Sequence, residues 1–207
     1  MDPDEVCGLK LFARQDEATA MLAFDTTIGP LVESQDPRQL TPASDFFRRF
    51  VLSIVRQQLS MTAADTVFER LETTVPITPE SVSGTPQSEL RESGVSARKA
   101  DTILRIANAF ETSHWSRERF RDMDDNEVIE ELTTCKGVGP WTAKMQLLFS
   151  LGRPDVFPVE DLGIRQAMTE LTGTDLSRAA MCDRAADWRP HRSLASLYLW
   201  GAIDSDA

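Results

Sequence analysis

A short segment, Gly137-Val138-Gly139-Pro140, has the residue types of an anion-binding turn. Glycine can adopt a positive φ and lets another backbone approach closely, and proline suits the first turn of a helix. Such a turn directs several backbone N–H groups at one point, in front of the positive end of a helix dipole. A phosphate fits there, Lys136 adds a charge, and such contacts hold a nucleic-acid backbone without reading its sequence. An ordinary tight turn between antiparallel helices is the alternative.

Two adjacent carboxylates, Glu160 and Asp161, form a second candidate group. They follow a loop marked by Pro154 and Pro158 and lie one predicted helix beyond the glycine turn. A carboxylate at this place could reach a sugar next to the bound phosphate. The alternative is that both acids only favour the N-terminus of the next helix.

The elements that must position these residues are predicted to be helices. Apolar residues recur at helical spacing, and we find no convincing alternating strand. Three Thr-Pro pairs predict a capping threonine with proline at the first helical position; these are Thr41-Pro42, Thr78-Pro79 and Thr85-Pro86. Gly94 and Ser96 predict the end of one helix and the start of another, and Asp124 or Asp125 can cap a third. About ten short helices imply an all-α fold.

The cysteines and histidines are too few and too scattered for a metal centre built from their side chains. The three cysteines, Cys7, Cys135 and Cys182, contain no Cys-x-x-Cys pair, so neither a zinc site nor an iron–sulfur cluster is expected. We expect reduced thiols. No apolar run is long enough to cross a membrane, and the first residues lack an apolar signal core. We therefore expect an intracellular protein without membrane contact.

The net charge is −11, from 33 acidic and 22 basic residues, which taken alone argues against nucleic acid. The acid excess is uneven, however, because residues 132–207 carry 9 acidic and 8 basic side chains. Only 4 of the 22 basic residues are lysine. An acidic, lysine-poor surface is what we expect of a halophilic protein, one that works in concentrated salt.

Five ordered motifs resemble those of one enzyme family. They are "SIVRQQLSMTAA", "GVSARKADTI", "LTTCKGVGPWTA", "VFPVEDLGIRQ" and "WRPHRSLASLYLW", and they span roughly residues 44–203. In these motifs the sequence resembles the helix-hairpin-helix (HhH-GPD) DNA glycosylase superfamily, and it is most similar to the 3-methyladenine DNA glycosylase II (AlkA-like) branch. The resemblance implies a two-lobed all-α fold with a DNA-binding cleft between the lobes and no N-terminal β-domain.

The resemblance also implies a domain organisation. Residues 1–43 are expected to form an N-terminal helical segment that packs with the C-terminal lobe. Residues 44–151 are expected to form a helical lobe that ends in the helix-hairpin-helix motif, at about 126–151. Residues 152–207 would complete the other lobe and carry the catalytic aspartate.

The resemblance assigns roles to individual residues. Asp161 matches the family's catalytic aspartate, and the glycine turn matches the hairpin that grips the DNA backbone. The residues expected to contact DNA are Lys136, Gly137, Val138, Gly139, Thr142, Gln58, Leu59 and Arg192. In the family the hairpin often holds a monovalent cation; here the main-chain carbonyls of Thr133, Cys135 and Val138 would bind Na⁺ or K⁺. No other cofactor, zinc or iron–sulfur cluster is expected.

Trp141 distinguishes between branches of the superfamily. Bifunctional members carry a Schiff-base lysine at this position, and Lys144 lies nearly one helical turn further on. The resemblance therefore favours a monofunctional enzyme. Trp141 and Trp200 would offer aromatic faces to a cationic base, with Met145 and Leu162 also at the base pocket; the alternative is that both tryptophans are only core.

A side chain must also fill the gap that an extruded base leaves in the duplex. The matching loop lies just before Ser60, the expected cap of the next helix. Gln58 is the expected wedge, with Leu59 second; the alternative is that Gln57 and Gln58 simply end a helix.

The resulting hypothesis is a monomeric, cytoplasmic, nucleoid-associated DNA glycosylase of base excision repair. It would hydrolyse the N-glycosidic bond of alkylated purines in double-stranded DNA, chiefly 3-methyladenine, with 7-methylguanine, hypoxanthine and ethenoadenine as further candidates, and leave an abasic site. The open alternatives are a non-catalytic helix-hairpin-helix DNA-binding module, a bifunctional glycosylase/AP lyase and a helical protein-interaction domain.

The charge pattern yields a prediction about salt. Because contacts between basic side chains and phosphates weaken as ionic strength rises, an acidic protein in strong salt must bind DNA mainly through backbone N–H groups and stacking. We expect the logarithm of the DNA-binding constant to fall only shallowly with the logarithm of salt concentration. A slope equivalent to many phosphate contacts would refute this expectation, and full stability in dilute buffer would count against adaptation to salt.

Overall fold

The computed structural model describes residues 15–204, so Cys7 lies outside the described residues. Within this range the chain contains α-helices and one short 3₁₀ helix but no strand, and the predicted all-α class is confirmed. The chain divides into two compact units. One comprises residues 1–41 with 152–207, and the other residues 42–151.

The unit of residues 42–151 contains eight helices with short connections. They are α3 Phe46–Arg56, α4 Met61–Thr74, α5 Pro79–Ser83, α6 Gln87–Glu92, α7 Ala97–Thr112, α8 Arg117–Arg121, α9 Asp125–Thr133 and α10 Pro140–Phe149. The long helix α7 packs against α3, α5 and α6. An aromatic cluster supports this unit; Phe50 stacks on Trp115 with ring centroids 5.9 Å apart, and Phe46 meets Phe110 edge to face at 5.1 Å. This cluster packs α3, whose C-terminal end leads into Gln58 and Leu59, against α7.

The other unit combines the N-terminal segment with residues from 152 onward. Its helices are α1, which covers the described residues 15–23, α2 Gly29–Ser34, α11 Leu162–Thr172, α12 Arg178–Ala185 and α13 Arg192–Asp204, with the 3₁₀ helix Ala186–Trp188 before α13. Helix α11 packs directly on α13. Ile164 and Met168 from α11 and Tyr198 and Leu199 from α13 are buried in one apolar cluster.

Side-chain capping starts most helices. Ser60, Ser96 and Asp124 accept backbone N–H groups at the starts of α4, α7 and α9, and Asp124 forms a reciprocal capping box with Glu127. The predicted starts at Ser60, Ser96 and Asp124 are therefore confirmed.

Two of the three Thr-Pro predictions are wrong. Only Thr78-Pro79 caps a helix, α5. After Thr41-Pro42 the Ala43 N–H donates to the Phe149 carbonyl at 2.7 Å, and α3 is capped later by Asp45. The Thr85 hydroxyl donates backwards to the Ser81 carbonyl at 2.7 Å, so it closes α5 and leaves α6 without a side-chain cap.

Within residues 15–204, no helix combines the length and the apolar character needed to cross a membrane.

Candidate functional site

The hairpin between α9 and α10 is built by short-range backbone bonds. The Cys135 N–H donates to the Leu132 carbonyl at 3.3 Å, and the Val138 N–H donates to the Cys135 carbonyl at 3.0 Å. Gly139 then occupies the N-cap of α10, with Pro140 at the first helical position. The first turn of α10 therefore directs its backbone N–H groups and its positive dipole end toward the hairpin, as an anion site requires.

Gly137 must be glycine for two separate reasons. Its φ is +100°, a conformation that other residues rarely adopt. A Cβ at this position would also overlap the buried side chain of Thr102, whose Cγ2 would lie 2.8 Å away. Since Thr102 is on α7, the missing side chain lets the hairpin lie directly against that helix.

Gly139 differs from Gly137, because the fold would tolerate a side chain at position 139. Its φ of −101° suits any residue, and a Cβ there would meet no atom within 4 Å. The glycine thus keeps open space in front of the N-terminus of α10, where a bound phosphate would lie.

The other hairpin residues vary in exposure. Lys136 is exposed and can approach an anion, whereas Val138 is buried and contributes packing. Thr142 is 2% exposed, and its hydroxyl accepts a hydrogen bond from Gln57 Nε2 at 3.0 Å. Burial restricts access of DNA to this side chain, and the contact of Thr142 with DNA stays a prediction.

The carbonyls predicted to bind a cation lie where cation chemistry is favourable. Thr133 is the last residue of α9, at the negative end of the helix dipole, and the carbonyl of Cys135 keeps a second lone pair beside its bond from Val138. Burial raises the pKa of the Cys135 thiol, so at neutral pH the carbonyl, not the sulfur, would be the ligand. These oxygens suit Na⁺ or K⁺.

Asp161 occupies the N-cap of α11. Its Oδ1 accepts from the Ile164 N–H at 3.1 Å and from the Trp200 Nε1–H at 2.9 Å. Two N–H donors on one oxygen, from a helix N-terminus and from the packed helix α13, fix the direction of the carboxylate. A carboxylate fixed in this way can stabilise positive charge that develops on a sugar without reorganising first.

Gly163 allows Asp161 and Trp200 to approach each other. A Cβ at position 163 would lie 3.3 Å from Asp161 Oδ1 and 3.3 Å from Trp200 Cδ1, which is tighter than ordinary contact. The sequence offered Trp200 as an aromatic face. The structure adds that its N–H positions the carboxylate, and it identifies Gly163 as the residue that makes room.

The other predicted pocket residues have unequal access to a ligand. Trp141 is half-buried in the first turn of α10, and Met145, one turn later, is 5% exposed and belongs to the core. Leu162, next to Asp161, is 62% exposed. Their contact with a base stays a prediction.

The predicted wedge lies on an exposed loop between α3 and α4. Gln58 has a φ of +58°, which is uncommon for a non-glycine residue and marks a position under local constraint. Leu59 and Met61 expose 41% and 60% of their surface. Met61 is a further exposed apolar side chain that the sequence patterns did not single out.

Arg192 forms a bidentate ion pair with Asp155. Its Nε lies 2.7 Å from Oδ1 and its Nη2 2.9 Å from Oδ2, and Nη2 also donates to the Asp155 carbonyl at 2.8 Å. These bonds tie the start of α13 to the preceding loop. These bonds use Nε and Nη2 of the guanidinium, and the contact of Arg192 with DNA stays a prediction.

Comparisons with known proteins identify the family of this chain. Residues 51–189 match the HhH-GPD superfamily base excision DNA repair protein family. DNA-3-methyladenine glycosylase 1 of Schizosaccharomyces pombe is 31% identical over 178 residues, which cover 82% of this chain and 78% of the relative. The putative DNA-3-methyladenine glycosylase YfjP of Bacillus subtilis is 27% identical, and the match covers 86% of this chain and 66% of the relative.

Solved structures share the fold. The S. pombe 3-methyladenine DNA glycosylase in complex with abasic DNA superposes with a TM-score of 0.82 at 29% identity, covering 91% of this chain and 97% of that one. A DNA-3-methyladenine glycosidase from Bacillus halodurans gives 0.77 at 32% identity, covering 90% and 88%. The chain belongs to the HhH-GPD superfamily of base excision DNA repair proteins.

The two hairpin glycines should respond differently to alanine. Gly137→Ala should lower the free energy of unfolding by about 1–3 kcal/mol, because it combines positive φ with overlap at Thr102. Gly139→Ala should change it by less than about 0.5 kcal/mol but weaken binding to a DNA duplex, because its methyl group enters the phosphate space. Urea denaturation and fluorescence anisotropy measure the two effects. The reverse pattern would contradict the roles assigned to the two glycines.

Trp200→Phe should slow catalysis with little effect on folding. The variant keeps an aromatic ring but removes the N–H that donates to Asp161, and we expect the single-turnover rate of base release to fall about tenfold. Gly163→Ala should act in the same direction by crowding the same pair. An unchanged rate in both variants would show that the carboxylate does not depend on Trp200.

Proposed function

We propose that this protein is a monofunctional DNA glycosylase that hydrolyses the N-glycosidic bond of alkylated purines in double-stranded DNA and leaves an abasic site. The observation that carries the proposal is the Asp161 carboxylate, which the N-terminus of α11 and the Trp200 indole hold in one direction. The hairpin before α10 would bind the phosphate of the DNA backbone in this proposal.

The substrate class is supported by the relatives. The fission yeast relative is named a DNA-3-methyladenine glycosylase, and the matching structure contains abasic DNA. We therefore propose 3-methyladenine as the chief substrate, with 7-methylguanine, hypoxanthine and ethenoadenine as further candidates.

The proposed mechanism begins with extrusion of the damaged nucleotide, which costs a few kcal/mol. The hairpin holds the backbone phosphate, and Gln58, with Leu59 as the second candidate, fills the vacated place in the duplex. Trp141 offers its ring to the cationic base, an attraction of about 0.5–2 kcal/mol.

The bond-breaking step then requires little acid catalysis. The electron pair of the glycosidic bond leaves with the alkylated base, whose positive charge it neutralises, and C1′ of the sugar becomes oxocarbenium-like. The Asp161 carboxylate stabilises this charge and orients a water, whose oxygen bonds to C1′ while its proton passes to the carboxylate or to solvent.

Strand cleavage is not part of the proposed activity. A lyase needs an amine nucleophile, and Trp141 stands where bifunctional members carry lysine. We further propose that the protein acts as a monomer on chromosomal DNA in the cytoplasm. It would require no cofactor for chemistry, and Na⁺ or K⁺ at the hairpin would be structural.

Asp161→Asn tests the proposal. The amide keeps the shape of the side chain and an oxygen that can accept from Ile164 and Trp200, so folding and DNA binding should persist. The rate of base release should fall roughly 100-fold or more, because the charge that stabilises the sugar cation is lost. The measurement is quantification of abasic sites in a duplex that carries one 3-methyladenine analogue.

Glu170→Gln is the matched control, because it removes an exposed carboxylate from the same helix. It should leave the rate unchanged. Normal base release by Asp161→Asn would refute the catalytic role proposed for Asp161. DNA binding without base release by the unmodified protein would favour a non-catalytic helix-hairpin-helix module.

A further inference from the structure

The side chain of Gln57 links two segments that the proposed function uses separately. Gln57 ends α3 at its C-cap, and its own N–H donates to the Ile54 carbonyl at 3.3 Å. Its side-chain Nε2 donates to Thr142 Oγ1 at 3.0 Å and to the Gly137 carbonyl at 3.4 Å. One amide group therefore bonds both the hairpin and the first turn of α10.

The partners of Gln57 are themselves rigid. Thr142 is buried, and Gly137 lies against Thr102 with no room for a side chain. The amide thus ties the end of α3 to the most constrained part of the hairpin and not to a mobile surface group.

A second bond fixes the end of α3 from another helix. Lys99 Nζ, near the start of α7, donates to the Val55 carbonyl at 2.8 Å, and burial lowers the pKa of this lysine. The last turn of α3 is therefore held by α7 at residue 55 and by the hairpin at residue 57.

The exposed loop begins immediately after this point. Gln58 takes a left-handed conformation, which reverses the chain direction, and Ser60 then caps α4. Because Gln58 follows the tethered Gln57 directly in the chain, the position of Gln57 determines where Gln58 and Leu59 project.

We propose that Gln57 is a positioning residue that couples phosphate binding at the hairpin to insertion of the loop Gln58–Leu59 into DNA. The inference rests on the proposed function and adds a role to it. Gln57 holds the loop at a fixed place relative to the phosphate site, so that a duplex gripped by the hairpin meets the wedge in register for extrusion. The amide donates to the Gly137 carbonyl and to Thr142 Oγ1, and in this role it does not contact the base.

A purely structural cap would behave differently. If Gln57 only ended α3, its loss would lower stability and would affect catalysis through unfolding alone. If it couples the two segments, its loss should slow extrusion in protein that is still folded, and the effect should depend on the loop being able to insert.

The test compares Gln57→Ala and Gln57→Glu with the unmodified protein. The glutamate variant keeps the shape, but its carboxylate cannot donate to the Gly137 carbonyl. Stopped-flow fluorescence of 2-aminopurine beside an alkylated purine should show extrusion slowed about tenfold in both variants. The dissociation constant for undamaged duplex, which the hairpin grips without extrusion, should change less than about twofold. Thermal melting verifies that each variant is folded, and unchanged extrusion in a folded variant overturns the proposal.

A double-mutant cycle separates coupling from a direct effect. In a Gln58→Ala/Leu59→Ala background the loop has nothing to insert, so adding Gln57→Ala should slow extrusion by less than about twofold further. A full tenfold further loss overturns the coupling. Gln87→Ala, which removes another amide of the same unit that donates to the Ala97 carbonyl at 3.1 Å, should leave extrusion unchanged.

The two proposals fail in distinguishable ways. If the unmodified protein releases no alkylated base, the proposed function fails and the inference with it. The other outcome is that the unmodified protein releases base, but Gln57→Ala slows extrusion equally with and without the side chains of Gln58 and Leu59. In that case only the proposed role of Gln57 is overturned.

Discussion

The direction of one carboxylate is the constraint on which the rest of the account depends. In the proposed mechanism Asp161 must face the reacting sugar, and two N–H donors on the same oxygen hold the carboxylate in one direction. The first donor exists because Asp161 caps α11. The second exists because α11 and α13 pack together, with Ile164 and Leu199 in one buried cluster, and because Gly163 leaves space for the indole. The buried core of this unit therefore also fixes the direction of the Asp161 carboxylate on which the proposed chemistry depends.

The other unit meets a different constraint, since an acidic protein must bind an anionic polymer. Several exposed arginines are already paired with carboxylates, among them Arg48 with Glu72 and Arg105 with Asp101. The hairpin instead offers backbone N–H groups, which carry no net charge and are little affected by salt. Close packing on α7 fixes this hairpin. The Gln57 side chain bonds to the hairpin and to α10, and it thereby links them to the adjacent loop Gln58–Leu59. The protein can thus bind DNA more through positioned backbone N–H groups than through charged side chains.

The sequence predicted what local patterns determine. The helical class, the caps at Ser60, Ser96 and Asp124 and the hairpin between two helices follow from short-range spacing, and the structure has them. The prediction failed at Thr85, because two local bonds compete there and the backward one forms. The bonds from Trp200 to Asp161 and from Gln57 to Thr142 join residues 39 and 85 positions apart. No periodicity encodes such bonds, and they become visible only when the folded helices bring the two side chains together.

The central claim is that this geometry releases alkylated purines by hydrolysis alone. The most direct measurement is to incubate the unmodified protein with methylated duplex DNA, identify the released bases by chromatography and mass spectrometry, and examine the strands on a denaturing gel. The account predicts free 3-methyladenine and intact strands that carry abasic sites. Release of no base, or a covalent protein–DNA adduct trapped by borohydride, would contradict it.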